Sequence, residues 1–315
     1  MRQTSVARLF ETERGHLELT HVSGRLDATL SVAEERIWPA DLIGHLNLIH
    51  PTRLQIIGAA ELAWAQRQST DKVAHHLNEI LSCQPPAIIL ADGCGASNII
   101  RAACEAYDVA LFTTPQAAAG VIDQLRLYLS RELAEKASLH GVFMDVLGVG
   151  VLITGDSGAG KSELALELIS RGHGLVADDI VEFSRIAPTV LEGRCPPMLQ
   201  DFIEVRGLGI LNIRTIFGET ACRRKMRLRL VCHLERRQPG DGDPSRLPLQ
   251  QEVNDILGVN IARVVLPVAA GRNLAVLLEA AVRSTILQLR GVDAMQEFIQ
   301  RQTQAMDNPT EDGAS

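Results

Sequence analysis

The feature that most constrains the fold of this chain is a glycine-rich segment between an apolar run and a helical pattern. The apolar run is Val149–Thr154, and Glu163–Leu168 follows the segment. A strand, a glycine turn and a helix start form a phosphate-binding P-loop, in which backbone N–H groups and the helix dipole hold phosphate oxygens. The segment consists of Gly155, Asp156, Ser157, Gly158, Ala159, Gly160, Lys161 and Ser162. We expect it to bind nucleotide phosphates, with Lys161 at the β- and γ-phosphates and the Ser162 hydroxyl on Mg²⁺.

Composition and charge argue against a nucleic-acid-coating, membrane-spanning or secreted protein. The chain has 315 residues, which allows two domains, and it is 46% hydrophobic with a net charge of −7. A chain with a net negative charge is not expected to coat nucleic acid. No apolar run approaches the roughly 18 residues of a membrane span. No secretory signal is visible, and the six cysteines form no Cys-x-x-Cys pair. We therefore expect a cytoplasmic protein that binds neither nucleic acid nor membrane.

The first 130 residues predict a small α/β domain, because strand and helix signals alternate along them. Short apolar runs bounded by glycine or proline predict strands at Leu54–Gly58, Ala87–Ala91 and Val109–Thr113. Gln116–Ala137 predicts a helix that ends this domain and connects it to a second domain at 131–315. An oligomer-interface role for the same helix remains open.

Two acidic residues after a second apolar strand predict the reaction centre. Gly174–Asp179 is apolar until Asp178 and Asp179. If this strand lies parallel and next to the glycine-loop strand, both carboxylates reach the terminal phosphate. One acid can then hold Mg²⁺ and the other can take a proton from an attacking hydroxyl. The alternative is a strand-end turn with both acids in solvent.

Two further segments contribute candidates. Glu204–Ile213 places an acid and an arginine before two glycines, so Glu204 is a candidate metal ligand and Arg206 a candidate phosphate binder. Without a metal–phosphate site nearby, the same pattern is an ordinary glycine hinge. The segment 139–150 predicts two strands joined near Asp145–Gly148, with His140 at the start of a strand paired to the loop strand.

Residues 223–230 alternate charged and apolar side chains, which predicts a strand with one solvent-exposed face. That this face docks an acidic partner or a neighbouring subunit remains open. Leu274–Leu289 predicts a helix, with further helix at 293–303.

These pieces, in this order, resemble the HPr kinase/phosphorylase family. The resemblance rests on Leu139–Val142, the glycine loop, Asp178-Asp179 and above all Glu204–Ile213, which is similar to the family signature. Segments 47–51 and 267–273 are also similar to family segments, so the likeness covers essentially the whole chain.

The resemblance implies an ATP- and Mg²⁺-dependent kinase that phosphorylates a regulatory serine of the phosphocarrier HPr. It also implies the reverse reaction, in which inorganic phosphate attacks phosphoserine and yields pyrophosphate. The implied fold is α/β, with a small N-terminal domain and a P-loop catalytic domain resembling phosphoenolpyruvate carboxykinase. The implied assembly is a homohexamer.

Residue roles also follow from the resemblance. Asp178 is the implied base and acid, Asp179 joins Ser162 and Glu204 as a metal ligand, and His140 lies near the transferred phosphate. Arg246 is similar to a family arginine that stabilises transition-state charge. The segment Gly271, Arg272 and Asn273 is implied in substrate binding or regulation. Two other functions stay open from the residues alone: a small-molecule kinase and a non-catalytic nucleotide switch.

Overall fold

The structure is a computed structural model that describes residues 2–32, 38–236, 252–269, 271–292 and 294–307. It divides into two units, Met1–Glu135 and Lys136–Ser315. The α/β fold expected from the sequence is confirmed in both.

The N-terminal unit is built on a mostly parallel sheet. Its strands are β1 (Arg2–Ser5), β2 (Thr20–Ser23), β3 (Thr29–Val32), β4 (Ile43–His45), β5 (Leu54–Ile57), β6 (Ala87–Leu90) and β7 (Ala110–Thr113). Its helices are α1 (Val6–Leu17), α2 (Ala59–Ala65), α3 (Thr70–Ser82), α4 (Asn98–Ala106) and α5 (Ala118–Glu132). The sheet order is β2-β7-β6-β5-β4, with β4 to β7 parallel and β2 antiparallel; β1 pairs with β3. The central strands are apolar on both faces because helices cover both sides.

The helix predicted at 116–137 is shorter than expected. It spans Ala118–Glu132, and residues from Glu135 onward form a strand. The Asp92 carboxylate accepts a hydrogen bond from the Ala118 N–H at 2.9 Å, which caps the helix start. At the other end, pairing of residues 135–140 into a sheet overrides their helical pattern. Leu125 and Leu129, four residues apart on one face of this helix, are buried in the core of the N-terminal unit.

The C-terminal unit contains a larger mixed sheet. Its strands are β8 (Glu135–His140), β9 (Val142–Val146), β10 (Val149–Gly155), β11 (Gly174–Ala177), β12 (Ile180–Ala187), β13 (Val190–Arg194), β14 (Phe202–Val205), β15 (Gly209–Asn212), β16 (Lys225–Arg236), β17 (Glu252–Ile256) and β18 (Val259–Val268). Its helices are α6 (Lys161–Ser170), α7 (Ile213–Phe217), α8 (Leu274–Leu289) and α9 (Ala294–Asp307). The sheet order is β11-β9-β10-β16-β13-β12-β8, and β18 pairs with both β16 and β17. β14 and β15 form a separate antiparallel hairpin.

The strand that carries the paired acids does not lie next to the glycine-loop strand, so that prediction was wrong. β9 lies between β10 and β11 and is antiparallel to both. The tight turn at Leu147–Gly148 joins β9 to β10 as a hairpin, so β9 takes the neighbouring position. β11 still runs in the same direction as β10, and its carboxyl end reaches the same edge of the sheet. The parallel neighbour of β10 is β16.

Helices α6 and α8 cover one face of this sheet, and their apolar residues join a single core cluster with β10 and β16. The helix predicted at Leu274–Leu289 is confirmed, and α9 extends four residues beyond the predicted end at 303. The predicted basic strand starts at Lys225 and continues to Arg236. Among the described residues, no helix is long and apolar enough to cross a membrane.

Candidate active site

A cavity of about 660 Å³ opens at the edge of the sheet where β10 ends. The glycine loop forms one wall, the end of β11 another, and the β14–β15 hairpin a third. The sequence-predicted residues that line it are His140, Gly155, Ser157, Gly158, Gly160, Lys161, Ser162, Asp178, Asp179, Glu204 and Arg206. Four separate segments of the chain therefore converge on one space.

The glycine loop depends on backbone conformations that favour glycine. Gly155 has φ +143°, and a Cβ there would lie 2.6 Å from the Leu234 carbonyl oxygen on β16. Gly160 precedes α6 with φ +92°. Lys161 Nζ donates to the carbonyl oxygens of Gly155 at 2.8 Å and Asp156 at 2.9 Å, so the lysine lies over the loop. The first amides of α6 and the Lys161 ammonium make this end of the cavity attractive to phosphate.

Asp178 is the buried carboxylate of the cavity, with 8% of its surface exposed. The Glu204 N–H donates to Oδ2 at 2.9 Å, and the Ser162 hydroxyl donates to Oδ1 at 3.4 Å. Burial raises the pKa of the Asp178 carboxyl, and the adjacent Asp179 charge also raises it. The hydrogen bonds from Glu204 and Ser162 oppose this rise without cancelling it. A carboxylate with a raised pKa is a stronger base, which suits proton abstraction.

Asp179, the next residue, is an exposed carboxylate of the same cavity. Its backbone has φ +65°, which turns the chain out of β11, and its side chain is 72% exposed. The His140 Nδ1 atom lies 3.5 Å from Asp179 Oδ1, and both side chains are exposed. The Gly141 N–H donates to the Asp179 carbonyl at 3.0 Å, which holds these two segments together. His140 is the last residue of β8, not the start of a strand paired to β10 as predicted, because Gly141 (φ +155°) separates β8 from β9.

The β14–β15 hairpin closes the cavity. Its turn contains Arg206 and Gly207, and Glu204 is an exposed residue on β14. The hairpin's backbone donates to Asp178 through the Glu204 N–H, while Glu204 and Arg206 are exposed residues that line the cavity. Ser162, Asp179 and Glu204 together offer hydroxyl and carboxylate oxygens, which are the ligands Mg²⁺ prefers.

Sequence reasoning missed Arg236, the last residue of β16. Its Nη2 atom donates to the Gly158 carbonyl, and a Cβ added at Gly158 would lie 3.5 Å from Arg206 Nη1. Two guanidinium groups therefore flank the loop. The basic strand could have indicated this residue, because the carboxyl ends of parallel strands meet at the same edge of a sheet and Arg236 ends the strand. That strand was predicted only as far as Leu230.

Some predicted residues lie elsewhere. Gly271, Arg272 and Asn273 precede α8 and do not line this cavity. Asn273 Oδ1 accepts from the Val276 N–H at 3.0 Å, and its Nδ2 donates to Glu167 Oε1 on α6 at 3.2 Å. Asn273 therefore links the start of α8 to the helix of the glycine loop. Arg246 lies outside the described residues.

In the described part of the chain, no group of three His, Cys, Asp or Glu side chains could hold a metal ion. A Mg²⁺ ion at Ser162, Asp179 and Glu204 would therefore need oxygens from nucleotide phosphates and water. That is the usual coordination of Mg²⁺ in phosphoryl-transfer enzymes, so these residues fit a nucleotide-dependent ion.

Two family models match the chain. The model described as HPr Serine kinase N terminus matches residues 4–129, and the HPr Serine kinase C-terminal domain matches residues 131–302. A relative from Azoarcus sp. (strain BH72) named HPr kinase/phosphorylase is 79% identical over 97% of this chain and 98% of its own length. The protein of that name from Aromatoleum aromaticum is 76% identical over 98% of each chain.

A third relative with the same name, from Burkholderia cenocepacia, is 58% identical over 86% of this chain and 83% of its own length. A solved structure titled Hpr(Ser) kinase/phosphatase from Coxiella burnetii is 34% identical. It covers 51% of this chain and 98% of that chain, with a TM-score of 0.46.

Proposed function

The chain belongs to the HPr kinase/phosphorylase family, and we propose that it phosphorylates a regulatory serine of HPr with ATP and reverses this by phosphorolysis. In the reverse reaction inorganic phosphate is the co-substrate and pyrophosphate the product. Through these reactions the protein would control carbon metabolism. The names of the relatives support the substrate. The observation that carries the chemistry is the buried Asp178 carboxylate, held beside the glycine loop by Ser162 and the Glu204 amide.

Asp178 is the proposed proton acceptor in the kinase direction. The serine oxygen of HPr forms a bond to the γ-phosphorus, the bond from that phosphorus to ADP breaks, and the serine proton passes to Asp178. In phosphorolysis a phosphate oxygen attacks the phosphoserine phosphorus, and Asp178 returns the proton to the leaving serine oxygen. The raised pKa of this carboxyl supports both roles, because it brings the acid and base forms closer to neutral pH.

The proposed magnesium ligands are Ser162, Asp179 and Glu204. Their oxygens meet the preference of Mg²⁺, and the ion when bound would neutralise charge on the transferred phosphate. The exposure of Asp179 supports this assignment, because a hydrated carboxylate can reorient towards an arriving nucleotide–metal complex. Asp178 is instead assigned to the proton, because burial raises the pKa of its carboxyl.

The glycine loop from Gly155 to Ser162 is the proposed ATP site, with the Lys161 ammonium on the β-phosphate. Binding would require Lys161 to exchange its two loop carbonyl partners for phosphate oxygens. Arg206 is a proposed phosphate contact and His140 a proposed partner of the transferred phosphate; both line the cavity. Arg246, as a stabiliser of transition-state charge, and Gly271, Arg272 and Asn273, in substrate binding or regulation, remain proposals from family resemblance.

We also propose a cytoplasmic homohexamer that binds HPr but neither nucleic acid nor membrane. The N-terminal domain (1–130) would act as a separate α/β module beside a catalytic domain (131–315). Light scattering at defined protein concentrations tests the hexamer directly.

A two-direction assay tests the function. The protein is mixed with HPr, ATP and Mg²⁺, and serine phosphate on HPr is measured by mass spectrometry. Phospho-HPr is then incubated with inorganic phosphate, and pyrophosphate is measured by ³¹P NMR. We expect product in both reactions. If folded protein gives neither, while a panel of sugars and nucleosides becomes phosphorylated, the protein is instead a small-molecule kinase.

A further inference from the structure

A short joint, residues 171–173, connects two walls of the glycine-loop cavity. Helix α6 begins at Lys161 beside the glycine loop and ends before the joint, and strand β11 leads from the joint to Asp178. The helix and the strand meet again in the cavity, where the Ser162 hydroxyl donates to Asp178 Oδ1 at 3.4 Å. With about 1.5 Å per helical residue and about 3.3 Å per strand residue, the joint lies roughly 15 Å from both groups. A shift of the joint would therefore change how the glycine loop is aligned with the proposed base.

Backbone hydrogen bonds hold the joint rigidly to the end of α6. The His173 N–H donates to the Leu168 carbonyl at 3.1 Å. The Gly172 N–H donates to the Ile169 carbonyl at 2.9 Å, and Gly172 has φ +93°. These two bonds and the left-handed glycine form a Schellman motif, which satisfies the last carbonyls of a helix. The backbone of His173 is therefore fixed relative to α6.

Glu279 of α8 binds the joint with both oxygens of its carboxylate. His173 Nε2 lies 2.9 Å from Glu279 Oε1, and Arg171 Nη1 donates to Glu279 Oε2 at 3.4 Å. The His173 hydrogen bond lowers the pKa of the Glu279 carboxyl, and the charge of Arg171 lowers it further, so this carboxylate is charged at neutral pH. The His173 side chain is only 7% exposed, which shields its contact from water. Hydrogen bonds to a charged group are stronger than neutral ones.

A second set of contacts connects the same two helices. Glu167 Oε1 on α6 accepts from Arg171 Nη2 at 2.8 Å and from Asn273 Nδ2 at 3.2 Å. Asn273 in turn caps the start of α8. Beneath these polar groups, buried side chains of α6 and α8 belong to one apolar core cluster with β10 and β16. Helix α8 is thus packed on the sheet, and it gives Glu279 a fixed position from which to hold the joint.

We propose that Glu279 is a positioning residue for phosphoryl transfer, which holds the joint through Arg171 and His173 so that the glycine loop and Asp178 stay aligned. None of the three side chains of the network lines the glycine-loop cavity, so they act at a distance from the phosphates. The inference rests on the proposed kinase function, because it assigns Glu279 a part in that reaction. A misplacement of about 1 Å can lower a rate about 100-fold. A displaced loop can still bind ATP, so the loss is expected in kcat more than in KM.

Steady-state kinetics of the full-length protein with HPr, ATP and Mg²⁺ test this role. Glu279→Gln keeps the size of the side chain and removes its charge. The double variant Arg171→Gln/His173→Gln removes the partners, and the triple variant combines all three changes. The matched control is Glu182→Gln, which breaks a 3.0 Å pair with Arg194 between β12 and β13, outside both helices and outside the cavity. Circular dichroism checks the fold, and Arg171→Gln alone replaces Glu279→Gln if that variant does not fold.

Hydrogen exchange provides a readout that needs no catalysis. Exchange of the amides in residues 155–170, which contain the glycine loop and α6, is followed by mass spectrometry without nucleotide. Faster exchange in Glu279→Gln than in Glu182→Gln would show that the network holds this segment. If wild type does not phosphorylate HPr, the proposed function fails, and the exchange measurement alone then decides whether Glu279 holds the loop.

We expect Glu279→Gln to lower kcat about tenfold and to change KM for ATP by less than about threefold. The double variant should show the same loss, and the triple variant no further loss, because the three side chains act as one network. Glu182→Gln is expected to stay within about twofold of wild type. The inference is overturned if Glu279→Gln leaves kcat or the exchange unchanged, or if KM rises as much as kcat falls. Multiplying losses in the triple variant, or an equal loss in Glu182→Gln, would also overturn it.

Discussion

Replacing Asp178 by Asn removes the proposed base while keeping its surroundings. The Asn carbonyl oxygen can accept from the Glu204 N–H, and its amide can donate to the Ser162 hydroxyl, so both present hydrogen bonds have counterparts. A positioned general base contributes roughly 10²- to 10⁴-fold to a rate. We therefore expect kcat for HPr phosphorylation to fall by about that factor, or ~3–5 kcal/mol of activation free energy, with KM for ATP nearly unchanged.

The same substitution is expected to raise the stability of the protein, although it lowers the activity. Because burial raises the pKa of the Asp178 carboxyl, the folded protein binds its proton more tightly than the unfolded chain. Wild-type stability contributed by this group is therefore present at low pH and lost as the pH rises through the raised pKa. We expect Asp178→Asn to unfold at a higher temperature than wild type at pH 7, with the difference shrinking below about pH 4.

Stopped-assay kinetics and thermal unfolding across pH 4–8 measure both effects on one preparation. The kinase rate of wild type is expected to fall as acid protonates Asp178, while the rate of the variant stays low and flat. A rate loss below about tenfold would refute the role of Asp178 as the base. Loss of nucleotide binding together with a lower unfolding temperature would show instead that Asp178 holds the loop in place.

Three further predictions test other parts of the structure. Lys161→Ala should weaken ATP binding by about tenfold or more in equilibrium dialysis, while Lys161→Arg should restore part of it; unchanged affinity would contradict the loop assignment. Gly193→Ala should destabilise the protein by about 1–3 kcal/mol in urea, because its Cβ would lie 2.5 Å from the Phe183 ring; a neutral effect would mean that the ring moves freely. The pKa of the Asp92 carboxyl is lowered by two backbone N–H donors, so its stabilisation is present above the unfolded pKa and lost as pH falls through the lowered pKa. Asp92→Asn should therefore lower the unfolding temperature at pH 7 and reduce its acid dependence, as followed by calorimetry.

Local structure was largely predictable from the residues. The strand before the glycine loop, the helix after it and the helix Leu274–Leu289 follow from apolar periodicity and glycine placement. The hairpin around Asp145–Gly148 was also predicted, and it is confirmed. The consequence of that hairpin was missed: once β9 pairs with β10, β11 is excluded from the adjacent position. A sequence pattern records which residues form strands but carries little information on their lateral order.

The two ends of β16 also show that a sequence pattern does not record how a strand pairs with its neighbour. Its alternating charged and apolar residues predicted a strand with one solvent-exposed face, and the exposed Arg227 and buried Leu228 confirm this. The β-bulge that leaves Arg229 without a partner residue on β10 could not be read from the pattern, because it arises from the register with β10. Arg236 likewise became visible only when that register brought it to the loop.

By itself the amino-acid sequence determined the phosphate-binding motif, the residue types of the candidate site and the family resemblance, because these depend on short segments with strong local preferences. Only the tertiary structure decided which of two adjacent acids is the buried one. Asp178 and Asp179 are equivalent in the pattern, but the β14–β15 hairpin packs over Asp178 and donates an amide to it. Asp179, with its left-handed backbone, turns into solvent. Burial depends on what the rest of the chain places above a residue, and that is a property of the folded molecule alone.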